Sequence, residues 1–313
     1  MRIAWSEISP MWSHSKNLIY AKIMMKNKDF VALILTHGRA DRVITFNNLR
    51  RSGYTGRIVL VIDNEDESAP EYISRFGKDN VVIFDKAAIA ATFDEGVPGD
   101  RRTIVYARNA CFGIARQLGY RYFIELDDDY TRFEWRFDNQ LRYVSKDKLI
   151  NNLDAVFDIM LDYFKKIPAK SIAMAQCGEY LGGGAGGEGR TIRTKRKAMN
   201  SFICDVERPF TFIGRINEDV NTYTRNTSTG DLFLQIQQVC LQQKITQSNA
   251  GGMTEVYLDS GTYLKSFFSV MYMPSSVKVK TMGNEFAHKK RLHHRVNWNA
   301  TAPKILNEKY KKK

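Results

Sequence analysis

An unbroken apolar run, Phe30-Val31-Ala32-Leu33-Ile34-Leu35, stops abruptly at Thr36-His37-Gly38-Arg39. Continuous rather than alternating apolar character predicts a strand buried on both faces of a parallel sheet. The period then changes. Val43, Phe46 and Leu49 share one face of a helix running from about Ala40 to Arg51, with Gly53 placed to end it. Arg57 to Ile62 is a second buried strand, ending in Asp63, Asn64, Glu65 and Asp66. A short helix from Ala69 to Phe76, a third strand from Val81 to Phe84, a helix from Thr103 to Leu118 and a fourth strand from Arg121 to Leu126 complete the first half. This alternation predicts a doubly wound α/β sheet. The carboxyl ends of such strands lie on one edge, where ligands bind, so Thr36-His37, Asp63 and Asp127 are expected to face one crevice.

The second half reads differently. Lys146 to Lys166 forms an amphipathic helical pattern with Leu149, Leu153, Val156, Phe157, Met160, Leu161 and Phe164 as its apolar face, followed by a strand from Ser171 to Gln176. Leu181 to Met199 opens with six glycines in the eight positions from Gly182 to Gly189. Glycine at that density is expensive to order, so a mobile loop that orders on a ligand is expected. It lacks the Gly-Lys-Ser/Thr of a Walker A loop. Shorter strand-like pieces follow at Ser201 to Val206, Phe210 to Ile213 and Leu232 to Val239. A helix from Thr254 to Phe268 and a strand from Val277 to Val279 come next, and Gly283 to Pro303 reads as irregular.

Composition narrows the class. A chain of 313 residues that is 43% hydrophobic suits one large domain or two small ones. No stretch is long and apolar enough to span a membrane, and Met1 to Asp29 has no secretory pattern. The four cysteines show no CxxC spacing and suit a reducing cytoplasm. Net charge is +13, concentrated at Arg190, Arg193, Lys195, Arg196 and Lys197 and in the stretch from Lys289 to Lys313. Clustered cations of this kind attract phosphate polymers.

The candidate chemistry centres on Phe123-Ile124-Glu125-Leu126-Asp127-Asp128-Asp129, an apolar strand ending in three carboxylates. Mutual repulsion makes a hard divalent cation the simplest compensation, with a solvated acidic turn as the alternative. Downstream, Asn217-Glu218-Asp219 offers a carboxylate pair suited to a general base, or else the charged first turn of a helix.

In order along the chain, Thr36-His37-Gly38-Arg39, Asp63, Tyr106-Ala107-Arg108-Asn109, Asp127-Asp128-Asp129 and Asn217-Glu218-Asp219 resemble a family-2 type GT-A glycosyltransferase. Arg291-Leu292-His293-His294-Arg295-Val296-Asn297-Trp298, followed by Ala302-Pro303-Lys304-Ile305, is similar to the TET-associated glycosyltransferases. The resemblance implies a Rossmann-like mixed sheet flanked by helices, with an irregular basic C-terminal segment. It implies one domain over 1–306, with a nucleotide-sugar half at about 29–135 and an acceptor half at about 145–306, and a basic tail at 307–313. It further implies transfer of a sugar, with inversion, from a UDP-sugar to a hydroxymethylated pyrimidine in phage DNA inside the bacterial host cytoplasm. Protein or polysaccharide acceptors, or a non-catalytic nucleic-acid-binding role, are the alternatives.

The roles implied residue by residue are these. Thr36, His37, Arg39, Asp63, Arg108, Asn109, Asp127 and Asp128 would hold the nucleotide sugar, Asp63 through uracil. Asp129 and Asp127, joined by His293 or His294 and with His288 a further choice, would hold Mn²⁺ or Mg²⁺. Asp219 would be the base with Glu218 beside it. Arg190, Arg193, Lys195, Arg196, Lys197, Arg291 and Arg295 would contact DNA. Arg108 has a second reading, as a partner of the aspartates themselves.

Overall fold

A computed structural model describes residues 24–93, 101–140, 142–176, 198–199, 201–243, 264–282 and 291–301. The first four strands form where the apolar runs predict them: β1 (Phe30–Leu35), β2 (Arg57–Asp63), β3 (Val81–Phe84) and β4 (Tyr122–Asp127). They pair in parallel in the order β3-β2-β1-β4, and the register sets Leu35 beside both Val61 and Asp127. The chain positions that follow these three strands therefore share one edge. Between the strands lie α1 (Ile44–Arg51), preceded by a 3₁₀ turn at Ala40–Arg42, then α2 (Ala69–Phe76), α3 (Lys86–Ala90) and α4 (Val105–Gln117).

The sheet does not stop at β4. It continues through β8 (Ser201–Asp205), β7 (Ala169–Gln176), β9 (Leu232–Gln243), β5 (Tyr130–Phe137) and β6 (Tyr143–Leu149), giving nine strands in the order β3-β2-β1-β4-β8-β7-β9-β5-β6. β8 runs antiparallel to both β4 and β7, and β5 antiparallel to β9. Two cores cover its faces. One packs Leu49 of α1, Tyr72 of α2 and the apolar side of α5 (Leu153–Lys166) on Ala32, Ile34, Ile124 and Leu126. The other packs α4 and α6 (Glu218–Ser228) on Leu33, Phe123, Phe202 and Phe233.

Several expectations need correction. The helix predicted from Lys146 begins only at Leu153, where the Asn152 side chain accepts from the Ala155 N–H and caps it. Residues up to Leu149 belong to strand β6, and the Leu149 side chain is exposed. Phe210 to Ile213 is not a strand. Asn109 holds both backbone groups of Phe212, at 2.9 and 2.8 Å, and Phe210 and Phe212 pack with Phe112, Phe202 and Phe233. The segment read as irregular contains β11 (Arg291–Val296), paired antiparallel with β10 (Val277–Met282), and the short α8 (Trp298–Thr301). The helix expected from Thr254 is described over 264–272 and labelled α7. The glycine-rich loop lies outside the described residues.

Candidate active site

The three-acid run turns from β4 into β5, and α1 holds that turn. The Thr45 hydroxyl donates to the Asp127 carbonyl at 2.6 Å and accepts from the Tyr130 N–H at 2.9 Å. The Thr45 N–H reaches the Asp128 carbonyl at 3.0 Å, and Asn48 Nδ2 the Tyr130 carbonyl at 2.6 Å. These buried bonds fix the backbone so that successive carboxylates point in different directions.

Asp128 turns toward β1. It accepts from the Thr36 hydroxyl at 2.7 Å and from Arg39 Nη1 at 3.2 Å, and Tyr72 OH completes the group by meeting Thr36 Oγ1 and the Arg39 N–H. Asp127 turns the other way, accepting from Arg108 Nη2 at 3.0 Å. Asp129 does neither. Its Oδ1 is shielded from solvent and accepts no hydrogen bond. Burial, then the charges of Asp127 and Asp128, push its carboxyl up to about 7.

Arg108 is the centre of a buried cluster. Only 1% exposed, it reaches Glu218 Oε1 through Nε at 2.9 Å, Asp127 through Nη2 at 3.0 Å and Glu125 through Nη1 at 3.5 Å. Its cation also lies over the rings of Phe202 and Phe212. Burial opposes the arginine charge, but Asp127, Glu218 and Glu125 more than compensate and keep it protonated. Three carboxylates around one cation leave excess negative charge. Burial accordingly pushes Glu125 up to about 8 and Glu218 up to about 7, against the pull of Arg108 in both cases. Of the two readings of Arg108, pairing with the aspartates is the geometry observed.

Through Glu218 this cluster grips the start of α6. The preceding Asn217 has φ 55°, and among the described residues it is the only non-glycine with a left-handed backbone. That kink lets the helix begin immediately at Glu218-Asp219. Asn217 Nδ2 donates to the Lys265 carbonyl at 2.7 Å and lies 3.4 Å from His294 Nδ1. Asp219 is 8% exposed, and its Oδ1 accepts from the Val220 N–H at 2.7 Å.

A second group occupies the ends of β1 and β2. His37 Nδ1 lies 2.8 Å from Asp63 Oδ2, and Lys86 Nζ donates to Asp63 Oδ1 at 3.3 Å. Burial alone would raise Asp63, but His37 and Lys86 hold it below the usual carboxylate range. The His37 ring is raised above its ordinary value, chiefly by the hydrogen bond to Asp63. Asp63 is buried, and His37 is the half-exposed member of the pair.

Asn109 is engaged with the Phe212 backbone, as described above. His293 and His294 lie on β11, with His294 buried and Arg295 exposed. Among the described residues, no three His, Cys, Asp or Glu side chains gather to hold a metal, so the histidines do not join Asp127 and Asp129 in the expected cluster. Arg190, Arg193, Lys195, Arg196, Lys197 and His288 lie outside the described residues, and of Arg291 only the backbone is described. Glu125, Thr45, Asn48, Tyr72 and Lys86 carry parts that no motif assigned. Glu125 alone left a signal, as a charged residue inside an apolar strand.

A large mixed sheet flanked by helices, with a carboxylate run at the carboxyl edge of its parallel half, is the architecture of a GT-A-like glycosyltransferase. The chain belongs to the TET-associated glycosyltransferase family, whose sequence profile matches residues 30–252. No match is found among curated proteins. Two solved structures show distant likeness. A crystal structure of a mycobacterial protein has 7% identity and a TM-score of 0.40, covering 91% of this chain and 89% of that one. The UDP-glucose phosphorylase from Trypanosoma brucei has 10% identity and a TM-score of 0.25, covering 92% and 63%. Among the described residues, no helix is long and apolar enough to cross a membrane.

Proposed function

We propose that this glycosyltransferase moves a sugar, with inversion and with the help of Mn²⁺ or Mg²⁺, from a UDP-sugar to the hydroxyl of a 5-hydroxymethylpyrimidine in DNA. The observation that carries the reading is the Arg108 bridge. One buried guanidinium holds Asp127 of the acidic run and Glu218 of α6, so a donor-binding acid and the neighbour of a candidate base share one rigid cluster.

The residues present fit a divalent cation of the kind that keeps positions for phosphate and water, since it needs only one or two protein carboxylates. Asp129, with its orphaned buried oxygen, would be the principal ligand and Asp127 the second. A bound cation would supply Lewis-acid stabilisation of the departing diphosphate. His37, oriented by Asp63, is the exposed group suited to contact the nucleoside, while Asp128 anchors Thr36 and Arg39 beneath it. Asp219 would take the proton from the acceptor hydroxyl, and attack by that oxygen opposite the leaving group would invert the anomeric carbon. Because the hydroxyl belongs to a base, the DNA must be single-stranded or the base flipped out.

The test is mass spectrometry of hydroxymethylpyrimidine DNA incubated with the protein, Mn²⁺ and a panel of nucleotide sugars. A sugar-sized mass gain that disappears on chelation supports the reading, and no gain with any donor sinks it. In the same assay Asp219→Asn is expected to slow transfer by about 10²–10⁴-fold while nucleotide-sugar binding persists. Undiminished turnover would remove Asp219 from the role of base.

A further inference from the structure

The β10–β11 ribbon carries a charge arrangement that its own fold does not favour. Directly opposed residues in an antiparallel pair share a face, and the face alternates along each strand. The register sets Lys278 opposite Arg295 and Lys280 opposite His293, with Met282 opposite Arg291 next in the same row. One face therefore carries Lys278, Lys280 and Arg295, with His293 beside them. The other face holds Val277, Val279, His294 and Val296, and Val277 and Val296 join the hydrophobic core beneath α4 and α6. Like charges directly opposite each other weaken a strand pair. Lys278, Lys280 and Arg295 are exposed, and among the described residues no acid is paired with any of them. Other exposed arginines are matched with acids, as at Arg121–Asp205 and Arg75–Glu71. An anionic partner would relieve this repulsion.

The ribbon's position says what that charge belongs to. His294 on its inner face approaches Asn217, the residue immediately before Glu218-Asp219, and the Trp298 ring just past β11 stacks on Tyr223 of α6 at 5.6 Å. The basic face is thus tied to the same helix that bears the candidate base. We propose that the β10–β11 ribbon is a phosphate-backbone clamp for nucleic acid, with Lys278, Lys280, His293 and Arg295 as its contacts, and that it delivers the acceptor strand to Asp219. This rests on the DNA-acceptor reading above and adds Lys278 and Lys280, which no sequence motif marked. A two-stranded ribbon is a geometry that nucleic-acid-binding proteins use, and its phosphate contacts would position without reading sequence.

The experiment compares the wild-type chain with the triple variant Lys278→Gln, Lys280→Gln, Arg295→Gln. Binding to a fluorescein-labelled DNA duplex without modified bases is titrated between about 50 and 200 mM salt. Each lost phosphate contact removes about 0.9 from the slope of log affinity against log salt, so the triple variant should lose about 2 to 3. Its affinity near 0.1 M salt should fall about tenfold or more. Thermal stability at low salt should hold or rise, because the opposed cations are gone. An unchanged slope and affinity overturn the proposal, and so does a loss of DNA binding that only follows a loss of folded protein. If DNA binding is unchanged while binding to phosphatidylserine-containing vesicles is lost, the ribbon is a membrane surface and the proposal is wrong. Unmodified DNA and no nucleotide sugar are used, so failure of the transferase reading shows separately, in the mass-spectrometry assay.

Discussion

The Arg108 cluster and the β10–β11 ribbon handle charge in opposite ways. In the first, three carboxylates surround one arginine in the interior, and every cationic nitrogen of that side chain faces an acid. In the second, Lys278 faces Arg295 at the surface, with no acid paired to Lys278, Lys280 or Arg295 among the described residues. The difference follows from the cost of desolvation. A buried charge must be compensated by the chain itself, whereas a solvated one can wait for a partner. Charge inside the fold therefore commits the chain to a fixed geometry, and opposed cations on its surface leave room for an anionic partner.

The largest effect expected from this contrast is on Arg108. Arg108→Met should leave Glu125, Asp127 and Glu218 without a cation and cost about 3–5 kcal/mol in urea unfolding. A loss under about 1 kcal/mol would mean that the cluster relaxes as easily as a surface pair. Glu125→Gln sharpens the point through pH. Glu125 is fully buried with its carboxyl raised from 4.5 to about 8, so the folded state keeps a proton that the unfolded chain has released. That contribution to stability is present below about 4.5 and is lost as pH rises to about 8. The wild type should therefore lose on the order of a few kcal/mol relative to Glu125→Gln between pH 5 and pH 9, measured with chelator present. Parallel stability curves would deny Glu125 its raised value. The smallest effect is on the ribbon. Lys278→Gln alone, which removes the cation opposite Arg295, should raise thermal stability at low salt and leave it unchanged at high salt. A clear loss at both would make Lys278 a packing residue.

The sequence was most legible where one physical signal dominated. Buried on both faces, β1 and β2 read directly from their apolar runs, and the acids beyond them fall on one edge because parallel register allows no other outcome. The helix predicted from Lys146 began too early because Leu149 and Leu153 fit a helical period. Asn152, a capping residue between them, was the signal that counted. Strand β5 alternates Phe133, Trp135 and Phe137 with Arg132, Glu134 and Arg136, yet Glu134 and Arg136 are buried, so its polar face does not mark solvent. β11 could not be read locally, since its pairing with β10 depends on residues outside its own segment. In the site, the acidic run and Glu218-Asp219 were visible as types of residue. That Arg108 joins them was visible only as one of two readings, because the three contacts come from positions 17, 19 and 110 residues away.

Asn217 narrows the alphabet available at its position. Its left-handed backbone is comfortable only for glycine, asparagine or aspartate. Its side chain must also donate to the Lys265 carbonyl, which glycine cannot reach and an ionised aspartate cannot serve. Only asparagine meets both demands. A complete substitution scan of this chain should therefore find position 217 almost intolerant, although Asn217 itself touches none of the reacting atoms in the proposed chemistry.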